Sequence, residues 1–70
     1  MRSIRRQGVE ADFGSLEGYR AHVLQQHADC AARLRAAVND TEQASSLVWQ
    51  LADIGLDLAW VDAELARDAA

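Results

Sequence analysis

The stretch LVWQLADIGLDLAWVDAEL, residues 47–65, decides the fold. Leu47, Leu51, Ile54, Leu58, Val61 and Leu65 recur at steps of four and three, a heptad seam that Ala44 begins. At about 100° per residue these six side chains share one side of a helix. Trp49, Leu56 and Trp60 fall on the opposite side, bordered by Asp53, Asp57 and Glu64 on one edge and by Ala52, Ala59 and Ala63 on the other. A helix apolar on two opposed faces is either sandwiched between layers or presents one face to a partner.

Seventy residues make one small domain. Half of them are apolar, but fourteen are Ala, which fills little volume. A core of this size supplies only about 3–5 kcal/mol, so small domains commonly add a staple or an oligomer. The single cysteine, Cys30, rules out an intrachain disulfide, and with two histidines it rules out a Cys2His2 zinc site. Oligomerisation is the expected staple. No apolar run is long enough for a membrane span, and the first residues, MRSIRRQGVEADFG, lack a signal-peptide core. The expectation is a soluble, cytoplasmic protein. All seven basic residues are Arg, as in high-GC bacterial or bacteriophage genes.

Charge is unevenly placed. Residues 1–14 and 15–39 each carry +1, whereas residues 40–70 set seven acids against Arg67 alone, a net −6. An acidic half repels nucleic acid and favours a basic protein surface, or it simply solvates a helix.

Residues 1–14 show no sustained period and contain Gly8 and Gly14, so they read as an irregular arm with at most one helical turn at 2–7. Ser15 is a helix N-cap, with Glu17 in the positive first turn, and a helix over 16–38 follows. Leu16, Tyr19, Val23, Cys30, Leu34 and Val38 form its apolar side, with His27 inside the stripe and Arg20 beside it. Asn39 ends that helix and Asp40 caps the next, with Gln43 placed to complete a capping box. The second helix spans 41–67, about 40 Å long at about 1.5 Å per residue. So short a connection makes the two helices antiparallel neighbours. The predicted fold is therefore all-α, an irregular arm (1–14) and a helical hairpin (15–70), with two hairpins dimerising into a four-helix bundle. Leu47, Leu51, Ile54, Leu58, Val61 and Leu65, with Leu16, Tyr19, Val23 and Leu34, are its core and dimer residues.

The second stripe is the candidate functional surface. Exposed aromatics beside charge mark protein–protein hot spots. Trp49, Leu56 and Trp60 would anchor a partner, and Asp53, Asp57 and Glu64 would complement its basic groups. Two other occupants stand beside a foreign partner: a second copy, or the arm itself through Ile4, Val9 and Phe13. Gly55, beside the seam, allows another backbone to approach or has no packing role.

Chemistry finds little support. His27 and Cys30 are three residues apart and share a face, but no further metal ligand or catalytic base completes a site. Asp53 and Asp57 need a pocket for acid–base work, and one helix face supplies none. Arg2, Arg5 and Arg6 make a small basic footprint without a recognition helix. The reading is no enzyme, no cofactor and no metal.

The size, the absence of Lys and the two-helix plan resemble the small host-takeover inhibitors of transposable Pseudomonas phages. Some of these bind a quorum-sensing transcription regulator and block the pilus assembly ATPase. The resemblance covers the plan of the chain and carries no residue over. It implies an inhibitor in the host cytoplasm that acts by occluding a regulator or an ATPase. The hairpins of type VII secretion share the outline, but their turn Trp-x-Gly is replaced here by NDTEQ, residues 39–43. The RNA-binding hairpin dimers of plasmid copy control share it too, against the acidic charge.

Overall fold

The computed structural model describes residues 3–70, which form three helices: α1 (Ile4–Phe13), α2 (Leu16–Ala36) and α3 (Thr41–Ala69). The arm is thus not irregular. Ser3 caps α1 by accepting a hydrogen bond from the Arg6 amide at 3.1 Å, and Gly14, at φ 80°, ends it. That left-handed conformation suits glycine, and the Gly14 N–H reaches the Glu10 carbonyl at 2.9 Å. Arg2, counted with the basic arm, lies outside the described residues.

Each later cap sits where the sequence puts it. Ser15 Oγ accepts from the Gly18 amide at 3.0 Å, and Asp40 Oδ1 accepts from the Gln43 amide at 3.0 Å. The α1–α2 corner is tight, because a Cβ at Gly18 would lie 2.7 Å from the Phe13 carbonyl oxygen. Helix α2 stops at Ala36 rather than 38. The Ala37 N–H bonds back to the Arg33 and Leu34 carbonyls, which leaves Val38 outside the helix and 78% exposed. Helix α3 runs two residues past the expected 67.

Helices α2 and α3 are antiparallel, since Tyr19 lies against Trp60 and Arg20 on Asp62, while Cys30 meets Leu47. The buried positions of α2 are Leu16, Val23 and Cys30, and the capping residue Ala37 continues their seven-residue step. They meet the α3 seam, where Leu47 and Val61 are buried. Leu34, Ala44, Leu51 and Ile54 pack partly buried around Cys30, Ala37 and Leu47. Tyr19, Leu58 and Leu65 are half-buried. The seam predicted for core and dimer thus serves the core of a single hairpin.

No helix among the described residues is long and apolar enough to cross a membrane. The molecule is a rod of 47 × 20 × 16 Å.

Candidate protein-docking surface

Helix α1 buries no residue fully; Val9 is half-buried and Phe13 packs on α2, so the rest of its hold must come from polar side chains. A helix of ten residues is marginal in water, and its order comes from what its side chains grip. They grip the acidic edge of α3. The Arg5 guanidinium lies over the Trp60 ring, 4.1 Å from its centre, and donates to Asp57 Oδ1 at 2.9 Å. Arg6 donates to Glu64 Oε2 at 3.1 Å and to both carboxylate oxygens of Asp68. Its Nε lies 3.4 Å from Glu10 Oε1, outside hydrogen-bonding geometry. Arg67 also reaches Glu64.

Glu64 is therefore buried, 8% exposed, where the sequence reading had set it on an open edge. The hydrogen bond to Asp68 holds the Arg6 pKa above its ordinary value. Partial desolvation opposes this, while the charge of Asp68, the hydrogen bond to Glu64 and the charge of Glu10 reinforce it. Arg6 thus stays cationic at every pH of practical interest.

These contacts divide the predicted ridge. Trp60 is half-buried, covered on one side by Arg5 and on another by Tyr19, with ring centres 6.0 Å apart. Trp49 and Leu56 stay outside this cover, 72% and 69% exposed. The basic surface expected opposite Asp57 and Glu64 is supplied by the chain's own Arg5 and Arg6. Asp53 remains exposed at the edge of the open part. The arm covers the ridge by a route other than the one expected. Ile4 points away, 89% exposed, and Phe13 packs instead on Tyr19 at 5.1 Å and His22 at 4.9 Å.

What stays open on α3 is a continuous uncharged face. Ser45, Val48, Trp49, Ala52, Leu56, Ala59, Ala63 and Ala66 are all exposed on the side turned away from α2. Trp49, Leu56 and Val48 are its large members, with Val48 52% exposed. Gly55 borders this face, and a Cβ there would meet nothing within 4 Å. Packing within the chain gives no reason for glycine at this position.

The other candidates lie apart from this face. Cys30 is buried and its thiol donates to the Leu47 carbonyl at 3.4 Å, so it serves the α2–α3 contact. It floors an open groove of about 240 Å³ lined by Gln26, Asp29, Arg33, Gln50 and Ile54, with no histidine in its wall. Among the described residues, no three His, Cys, Asp or Glu side chains stand where they would hold a metal ion. Compared with known proteins, the chain matches no family model, no curated protein and no solved structure.

Proposed function

We propose that the protein is a non-enzymatic protein-binding module that modulates its partner by covering part of the partner's surface with the outer face of α3. The observation that carries this reading is the exposure of Trp49 and Leu56 on a face without charge. Tryptophan is among the residues whose truncation costs most at an interface, and the centre of an interface is depleted of charge. The partner is best suited by an apolar helix face. Self-association of two hairpins into a four-helix bundle belongs to the same reading, as does occlusion of a cytoplasmic regulator or ATPase. Phosphate contact by the arm is disfavoured, because Arg5 and Arg6 already carry ion pairs.

Site-specific photo-crosslinking tests it. A benzoylphenylalanine at Leu56 should yield protein adducts in producing cells, whereas one at Gln25, exposed on α2, should not. Absence of any adduct from Leu56, including one with a second copy, contradicts the reading.

A further inference from the structure

We infer that the occupant of the α3 outer face is a second copy of this chain, paired antiparallel along α3. This inference rests on the reading that the outer face is a docking surface, and names what docks there.

The first argument is spacing. Ser45, Trp49, Ala52, Leu56, Ala59, Ala63 and Ala66 follow one another at steps of four and three, a second complete heptad seam. One alternate set is Trp49, Leu56 and Ala63; the other is Ser45, Ala52, Ala59 and Ala66, all small. A parallel pair would set Trp49 against Trp49 and Ala52 against Ala52, and no single helix separation suits both layers. An antiparallel pair with its two-fold axis near Ile54 sets each large side chain of the seam against a small one. Trp49 then meets the partner's Ala59, Leu56 meets the partner's Ala52, and Ser45 meets the partner's Ala63. The Trp49 and Leu56 layers become similar in thickness, which is what interior packing density requires, and the thinner Ser45–Ala63 layers fall at the two ends.

The second argument is charge. The face is uncharged between Glu42 at one end and Arg67 at the other, and both lean to the same flank. A two-fold axis perpendicular to the helices keeps each flank facing its own counterpart. Glu42 therefore lies beside the partner's Arg67 at both ends of the pair, where that exposed guanidinium is shared with Glu64 of its own chain. The register also sets Asp53 near the partner's Asp53 at the solvent edge, a like-charge cost screened by salt. On the other flank the two Gly55 residues come nearest the axis, where a missing Cβ lets the backbones approach beside Ala52 and Ala59.

The third argument is area. The chain exposes 5003 Å², whereas a folded monomer of 7.7 kDa exposes about 4,300 Å². Its radius of gyration is 14.4 Å, against about 11 Å for a compact domain of this length. The excess, about 700 Å² per chain by the same scaling, approaches the roughly 800 Å² per partner of a specific interface.

Sedimentation equilibrium over about 1 µM to 1 mM gives the test, with circular dichroism as the check on folding. The wild type should dimerise, and Leu56→Glu should weaken the dimer at least about a hundredfold, since symmetry applies each change twice. Leu24→Glu, on the exposed side of α2, should leave it unchanged. Spin labels at position 46, introduced as Ser46→Cys in a Cys30→Ala background, read the direction. The antiparallel pair sets them about 24 Å apart along the axis at about 1.5 Å per residue, and a parallel pair brings them to about 10 Å, the separation of packed helices. A wild type monomeric throughout, a dimer indifferent to Leu56→Glu, or the short label distance overturns the inference. If the wild type is monomeric yet Leu56 crosslinks another protein, the docking surface stands and only its occupant is wrong.

Discussion

Arg5→Ala removes the arm's grip on Trp60 and Asp57 together. The stacked guanidinium, 4.1 Å from the ring centre, is partly open to water, a setting where such contacts contribute about 0.5–1 kcal/mol. The ion pair to Asp57 is nearly half exposed on both sides and adds about 0.2–1 kcal/mol. The loss of about 0.7–2 kcal/mol raises the population of released arm by roughly three- to thirtyfold. Because α1 is too short to persist alone, release and unwinding are one event. Hydrogen exchange of the amides from Gln7 to Phe13 should therefore accelerate by that factor, while α2 and α3 keep their protection. Iodide should quench Trp60 more strongly in a Trp49→Phe background. Equal acceleration in all three helices would show that α1 is part of one cooperative unit. Unchanged exchange in α1 would refute the proposal that Arg5 holds it.

Three further substitutions probe the frame. Gly18→Ala forces a Cβ to within 2.7 Å of the Phe13 carbonyl, so it should prise α1 from α2 and cost about 1–3 kcal/mol in thermal or urea unfolding. Gly8→Ala meets nothing within 4 Å and should stabilise α1 by up to about 1 kcal/mol, seen as slower exchange of its amides. Val61→Ala, at a side chain with no accessible surface, should cost about 1–3 kcal/mol in urea unfolding; a neutral result would mean that the α2–α3 seam is not the core.

Much of the frame was legible because it is local. Ser15 and Asp40 cap through bonds three residues away, and the α3 seam follows from a fixed helical period. Helix α1 was illegible for the opposite reason. Its residues lack an apolar period and include Gly8, and its order comes from partners far along the chain, Asp57 for Arg5 and Asp68 for Arg6. The same contacts explain why the ridge divides at Trp60. A helical wheel shows that Trp49 and Trp60 share a side, but not that a crossing arginine reaches only one of them. The heptad of Leu16, Val23 and Cys30 on α2 and Ala37 at its cap was present in the sequence, masked by Arg20 and His27 at the alternate positions. Arg20 resolves by turning outward to Asp62, so the seam closes without burying its charge.

The most direct measurement of the central claim is the accessibility of Trp49 as the protein is concentrated. In a Trp60→Phe variant, Trp49 is the sole tryptophan and starts 72% exposed. Pairing of the α3 faces predicts iodide quenching that falls, and emission that shifts to the blue, as concentration rises through the dimer transition. Quenching that stays high while sedimentation reports a dimer would place the second copy on another surface and contradict the account.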